Sequence, residues 1–143
     1  MAHPGAQVAA LRPQLVRRVV AAVLDAEQAG PAEVSVTFLS PAAMRRLHRR
    51  ALGHDRATDV VAYRLPHDDG FAGDLYLCPG VARASARDHG IPLREELIRL
   101  LVHGTLHLLG YDHPLGTGRT RSAMWRRQER YLRRILRREG QPR

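Results

Sequence analysis

Apolar residues recur along this chain with two different periods, which predicts a mixture of helices and strands. The period of a helix is found in five stretches, at 13–29, 41–51, 79–89, 93–109 and 119–138. The period of a strand is found in three stretches, at 33–39, 59–65 and 74–78. Turn-forming residues at 66–70 predict that the last two strands form a hairpin. Because the helices and strands do not alternate strictly, we expect an α+β fold.

The length of 143 residues suits one domain, so residues 1–143 are expected to form a single unit. A content of 44% apolar and 26% charged residues is typical of globular proteins and argues against disorder. The longest apolar run, at 19–24, is too short to span a membrane, and no secretory signal is predicted. The single cysteine, Cys78, excludes intrachain disulfides and Cys-rich zinc sites, and it fits a cytoplasmic setting.

Positive charge is concentrated near the end of the chain. All 23 basic residues are arginines, and against 14 acidic residues they give a net charge of +9. Residues 119–143 contain ten arginines and two glutamates, so they carry eight of these nine charges. A uniform preference for arginine would not concentrate the excess positive charge in one segment. This concentration therefore predicts an element that faces a polyanion.

Three histidines near a predicted helix end are the main candidates for chemistry. His103 and His107 are four residues apart, so their imidazoles share one helix face. Gly110 is expected to end the helix, after which the chain turns so that His113 can reach the same ion. Zinc accepts imidazole nitrogens, and three histidines leave one position for water or substrate. The alternative of three unrelated histidines is less consistent with this spacing, which favours a catalytic metal site.

The three histidines have the spacing of the zincin protease motif H-E-x-x-H-x-x-G-x-x-H. Those proteases keep a glutamate general base after the first histidine, and this chain has Gly104 there. Glycine cannot accept a proton from water through a side chain. The sequence therefore predicts a zincin-like metal helix without the proteolytic base.

The segment HGTLHLLGYDH, at 103–113, resembles the signature of the YbeY endoribonucleases, which are bacterial rRNA maturation factors. The resemblance extends over roughly residues 33–136. It includes four further segments that match the family pattern: TDVV at 58–61, GDL at 73–75, EL at 96–97 and Met124.

The resemblance implies a single-strand-specific, metal-dependent endoribonuclease that acts in rRNA maturation and ribosome quality control. It implies a small α+β fold with a roughly four-stranded sheet and flanking helices. By this resemblance, the ligands of one zinc ion per chain are His103, His107 and His113. The implied partner is single-stranded RNA, either as rRNA or in the ribosome. The attacking group is either water at this site or the RNA 2′-hydroxyl, and no side chain is assigned as catalytic.

Several positions depart from the family pattern. Leu52 stands where the family often has an arginine, for which Arg50 or Arg56 are the candidate replacements. Ala62-Tyr63-Arg64 stands where S-F-P is usual. The missing arginine keeps open a second function, a metal-stabilised RNA-binding factor of ribosome assembly with little catalysis. A zinc metallopeptidase with an unorthodox base is the other alternative, against which Gly104 argues.

The remaining polar candidates have ordinary structural explanations. Asp112 either orients a ligand or forms a turn, while Asp59 and Asp74 are expected to make local caps. The other histidines of polar or loop-like stretches are expected at the surface, namely His48, His54, His67 and His89. Cys78 is expected to be a small buried apolar residue.

The last predicted helix divides into two sides on a helical wheel. The side expected to pack on the domain contains Met124, Trp125, Gln128, Tyr131, Leu132, Ile135 and Leu136. The other side contains Arg126, Arg127, Arg130, Arg133, Arg134, Arg137 and Arg138. It is either a solvated charged face or a track for RNA phosphates, with Arg130, Arg134 and Arg137 as the candidate contacts.

Overall fold

The computed structural model describes residues 11–52, 58–66, 69–111 and 123–139. In these ranges the chain forms an α+β fold, as predicted, and every predicted element is present. The elements in chain order are α1 (Pro13–Ala26), β1 (Ala32–Phe38), α2 (Pro41–Leu52), β2 (Val60–Leu65), β3 (Phe71–Leu77), α3 (Pro79–His89), α4 (Leu93–Leu108) and α5 (Ala123–Glu139).

Local chemistry at two helix ends explains why the sequence predicts them well. Ser40 precedes α2, and its Oγ accepts a hydrogen bond from the backbone N–H of Ala43 at 3.1 Å. Pro41 follows at the first helical position, where its missing N–H has no helical partner to lose. At the end of α3, Gly90 adopts a positive φ of 67°, which glycine tolerates without strain.

The three strands form one mixed sheet in the order β1-β3-β2. The predicted hairpin is confirmed, because β2 pairs antiparallel with β3, with Val60 opposite Leu77. The edge strand β1 pairs parallel with β3, with Ala32 opposite Phe71. The described residues thus form three strands, so the four-stranded sheet is not confirmed. Only three stretches of the sequence alternate, and the fourth strand was implied by the family resemblance alone.

Helix α4 is the centre of the core and contacts α1, α3, α5, β2 and β3. Two glycines allow it to approach the sheet closely. A Cβ atom at Gly104 would lie 2.8 Å from Leu75 Cδ2, and one at Gly73 would lie 2.6 Å from Leu108 Cδ2. Because larger residues at these positions would meet buried leucines, the two glycines fix how near α4 lies to β3.

None of the helices in the described ranges combines the length and the apolar character that crossing a membrane requires.

Candidate metal centre

Polar residues occupy one face of the otherwise buried helix α4. Arg99, His103 and His107 follow one another at intervals of four residues and are each half-buried. Positions between them, such as Leu100 and Leu106, are buried against the core. The spacing therefore places both histidines on one helix face, as the sequence predicts.

The two imidazoles are neighbours that open to one cavity. Their ring centroids lie 4.7 Å apart, and the ring planes meet at 73°. A cavity of about 180 Å³ is lined by His103, Gly104 and His107 of α4 and by Val60 and Ala62 of β2. Among the described residues, the other walls are small or apolar, so the two imidazoles are the polar side chains that these residues offer to the cavity. A pair of imidazoles one helical turn apart fits a zinc ion as a partial ligand set.

The third predicted ligand, His113, lies outside the described residues. Within the described ranges, no three side chains of histidine, cysteine, aspartate or glutamate are grouped so that they could hold a metal ion. The predicted zincin-like arrangement of three histidines is therefore not confirmed within the described residues.

The end of α4 has the backbone turn that the sequence predicts. Gly110 has a φ of 102°, and its N–H donates to the carbonyl of His107 at 2.9 Å. The N–H of Tyr111 donates to the carbonyl of Leu106 at 3.0 Å, which completes a Schellman motif. The helix therefore ends at Leu108, five residues before His113 in the sequence.

Gly104 has a packing role beside the histidines. A Cβ atom there would lie 2.8 Å from Leu75 Cδ2 and 3.4 Å from Val60 Cγ2. A glutamate at this position would require Leu75, which is fully buried, to move. The absence of a protease-type base is therefore part of how α4 packs on the sheet.

A chain of hydrogen bonds connects His103 to helix α5. His103 Nδ1 lies 2.6 Å from Oε1 of Gln128, which is 5% exposed. The Gln128 amide donates to Glu129 Oε2 at 2.9 Å, and Arg99 Nε donates to the same oxygen at 2.9 Å. We call these four residues the α4–α5 polar chain. Sequence reasoning missed it, because Gln128 was assigned only to a packing face; a lone amide on an otherwise apolar face was the available signal.

Ion pairs stabilise the charge of Arg99, which lies at one end of the α4–α5 polar chain. Burial alone would lower the pKa of the Arg99 guanidinium, but hydrogen bonds with Glu129 and Glu96 outweigh burial and raise the pKa. Arg99 Nη1 donates to Glu96 Oε1 at 2.9 Å. Burial raises the pKa of Glu96, and the hydrogen bond from Arg99 opposes this. Arg99 therefore stays cationic and joins α4 to Glu129 of α5.

One family departure, Arg64, and one candidate aspartate, Asp74, have structural roles. Arg64 Nη1 donates to the carbonyl of Leu108 at 3.3 Å, so it places a cation at the C-terminal end of α4. Asp74 Oδ1 accepts a hydrogen bond from Ser35 Oγ at 2.6 Å. Because its neighbours in β3 face α4, Asp74 lies on the opposite face of the sheet, away from the histidines. The side chain of Leu52 is outside the described part.

The structure corrects one assignment among the other histidines. His48 is 5% exposed rather than at the surface, and its Nε2 lies 2.7 Å from Thr58 Oγ1, which connects α2 to the segment just before β2. His89 is exposed, as expected, and Cys78 is fully buried. The predictions for Asp112, His54, His67 and Arg56 concern residues outside the described ranges.

Helix α5 has the apolar side and the arginine side that the helical wheel predicts. Two residues at the borders between these sides differ from the prediction. Trp125 is 41% exposed instead of packed. Arg127 is half-buried and pairs with Glu27 at 2.9 Å instead of facing solvent. Both lie between the two sides, where tertiary contacts decide exposure. The arginine face, meaning the exposed arginines of α5, consists of Arg126, Arg130, Arg133, Arg134, Arg137 and Arg138.

Glu27, at the end of α1, joins this helix to the segment that follows α4 and to α5. It accepts hydrogen bonds from Tyr111 Oη at 2.7 Å, from Arg127 Nη1 at 2.9 Å and from Tyr131 Oη. Burial raises the pKa of Glu27, but these hydrogen bonds, led by the one from Tyr131, outweigh burial and lower the pKa. Tyr111 follows directly on the turn at Gly110, so Glu27 fixes the position from which the chain continues toward His113.

Comparison with known proteins gives consistent matches. A family model described as endoribonuclease YbeY matches residues 6–136. The endoribonuclease YbeY of Frankia casuarinae is 43% identical over 107 residues, which cover 64% of this chain and about half, 52%, of that protein. The endoribonuclease YbeY of Chlorobium limicola is 32% identical over 124 residues, covering 87% of this chain and 85% of that protein. A solution structure from Thermotoga maritima superposes with a TM-score of 0.62 at 28% identity, covering 86% of this chain and 82% of that one.

Proposed function

Because this chain belongs to the endoribonuclease YbeY family, we propose that it is a zinc-dependent endoribonuclease that cleaves single-stranded RNA in rRNA maturation and ribosome quality control. The observation that carries the proposal is the pair of imidazoles, His103 and His107, which lie 4.7 Å apart beside one cavity. His113 completes the ligand set in this proposal.

The donor set fits one zinc ion per chain. Neutral imidazoles are good zinc ligands, and three of them leave a position for water or for the RNA. When bound, zinc supplies a Lewis acid for the phosphoryl oxygen and lowers the pKa of a coordinated water. His103, His107 and His113 hold the ion, while Gly104 has no side chain that could act as a carboxylate base.

The arginine face supplies the proposed contacts to RNA phosphates. Arg130, Arg134 and Arg137 are exposed on α5, the same helix that contacts His103 through Gln128. The guanidinium carbons of Arg130 and Arg134 each lie 5.7 Å from the Tyr131 ring centroid, so the ring supports both side chains. A guanidinium group can form two parallel hydrogen bonds with the oxygens of one phosphate. An exposed row of arginines therefore suits the backbone of an RNA strand.

One observation favours a second function, an RNA-binding assembly factor with little catalysis. Leu52 occupies the position where the family often has an arginine, so a cation for the developing negative charge is missing there. A peptidase is disfavoured, because Gly104 provides no general base.

The deciding experiment incubates the zinc-loaded protein with single-stranded rRNA fragments and, separately, with casein. We expect cleavage of the RNA, no cleavage of casein, and loss of RNA cleavage in His107→Ala. Casein cleavage that is lost in His107→Ala would contradict the proposal in favour of a peptidase. RNA binding without cleavage in the wild type would favour the assembly factor.

A further inference from the structure

The α4–α5 polar chain does more than join two helices. We infer that Gln128 and Glu129 act as positioning residues that fix the tautomer of His103, with the proton on Nδ1 and the lone pair on Nε2. This inference rests on the proposed metal site, because it names the nitrogen that His103 presents to the ion.

The direction of the hydrogen bonds is set at Glu129. Its carboxylate accepts hydrogen bonds and, when ionised, donates none. Arg99, which only donates, lies 2.9 Å from Glu129 Oε2 through its Nε, and Gln128 Nε2 lies 2.9 Å from the same oxygen. Gln128 must therefore direct its NH₂ group toward Glu129, because the reversed amide would place a carbonyl oxygen against a carboxylate.

The orientation of Gln128 then decides the tautomer of His103. With its NH₂ group on Glu129, the amide presents Oε1 to His103 Nδ1 at 2.6 Å. An amide oxygen only accepts, so Nδ1 must donate and must carry the proton. In a neutral imidazole the other nitrogen, Nε2, then has the lone pair that a metal needs.

Burial makes the directions of these hydrogen bonds hard to reverse. Gln128 is 5% exposed, and the side chains of Glu129 and Arg99 are 14% and 23% exposed. Water therefore has little access to replace a lost hydrogen bond, and each group must keep its partner. Gln128 and Glu129 are adjacent on α5 and meet His103 and Arg99, which are one turn apart on α4. Both contacts are thus set by the packing of the two helices.

The test uses nuclear magnetic resonance of the imidazole nitrogens in the metal-free protein at pH 8, where an ordinary imidazole is neutral. We expect His103 of the wild type as the Nδ1–H tautomer. We expect Gln128→Leu to shift it toward the Nε2–H form that predominates in free histidine. Zinc affinity, measured by competition with a chelator, should fall by about 10–100-fold in Gln128→Leu. Arg133→Gln, an exposed change on the same helix, should alter neither quantity.

Glu129→Gln provides a second variant that keeps the size of the side chain if Gln128→Leu does not fold. It allows the Gln128 amide to reverse, so we expect both tautomers of His103 to be populated. An Nε2–H tautomer in the wild type, or an unchanged tautomer in Glu129→Gln, would overturn the inference. The outcomes also separate the two proposals: the wrong tautomer in a protein that cleaves RNA contradicts only this inference, whereas the expected tautomer without zinc binding contradicts only the metal site.

Discussion

Helices α4 and α5 are of similar length but use their polar residues in opposite ways. In α4, the polar residues at 99, 103 and 107 are half-buried, and the described contacts give Arg99 and His103 partners on α5. In α5, the arginine face is exposed over the whole helix. A polar group inside a fold must have a partner, so each change in α4 should be costly, whereas a solvated charge acts weakly and only together with others. The following predictions test this contrast, beginning with the largest expected effect.

Loss of one of the three proposed metal ligands should have the largest effect. We expect His103→Ala, His107→Ala and His113→Ala each to reduce bound zinc from about one ion per chain to a small fraction, because two imidazoles hold the ion far more weakly than three. Elemental analysis of the purified variants measures this. Equal metal content in all three variants and the wild type would show that these histidines are not the ligands.

A methyl group between α4 and the sheet should destabilise the fold. Gly73→Ala places a Cβ atom 2.6 Å from Leu108 Cδ2 and 3.1 Å from the carbonyl oxygen of Tyr63. Overpacking of this kind typically costs about 1–3 kcal/mol in the free energy of unfolding. Urea denaturation measures the change, with Arg133→Ala as an exposed control that should lie near the wild type. An unchanged urea midpoint for Gly73→Ala would mean that α4 can move slightly away from β3 without a loss of stability.

Removal of the Glu27 charge should destabilise the protein in a pH-dependent way. Burial opposes ionisation of Glu27, but its three hydrogen bonds lower the pKa below the ordinary value of 4.5. A lowered carboxylate pKa contributes stability above about pH 4.5, and this contribution is lost as the pH falls through the folded-state pKa.

We therefore expect Glu27→Gln to lose about 1–3 kcal/mol of unfolding free energy near pH 7, the usual cost of disrupting hydrogen bonds to a buried charged group. The difference from the wild type should narrow in acid. Urea titrations at pH 7 and at about pH 3 test this, and a difference that widens in acid would have the wrong sign.

Neutralisation of the arginine face should have the smallest effect per residue. We expect the combined change of Arg130, Arg134 and Arg137 to Gln to weaken single-stranded RNA binding. Each lost phosphate contact should flatten the slope of log K against log salt by about 0.7. Metal content and folding should be unchanged. The charge-matched control changes three exposed arginines elsewhere: Arg45, Arg83 and Arg87. Equal slopes for the two triple variants would make the face an ordinary solvated surface.

The comparison of α4 with α5 also shows what the sequence predicts well. Periodicity and end signals are local, so Ser40, Gly90 and Gly110 mark helix ends correctly. The i, i+4 spacing of His103 and His107 likewise fixes their shared face, because helix geometry alone determines it.

Features that depend on distant contacts were not predictable in the same way. The parallel pairing of β1 with β3 joins residues 39 apart in the chain, such as Ala32 and Phe71. The buried His48 forms a hydrogen bond with Thr58, ten residues away in the chain, and Trp125 is 41% exposed although it lies beside the apolar side of α5. The role of Gln128 required knowing which helix α5 meets.

X-ray absorption at the zinc edge, on protein loaded with one equivalent of zinc, tests the metal centre most directly. We expect a first shell of nitrogen and oxygen at about 2.0–2.1 Å with the scattering pattern of three imidazoles, and we expect this pattern to be lost in His113→Ala together with most of the bound zinc. A first shell that contains sulfur, or one whose imidazole scattering is unchanged in His103→Ala and His107→Ala, would contradict a metal centre on α4.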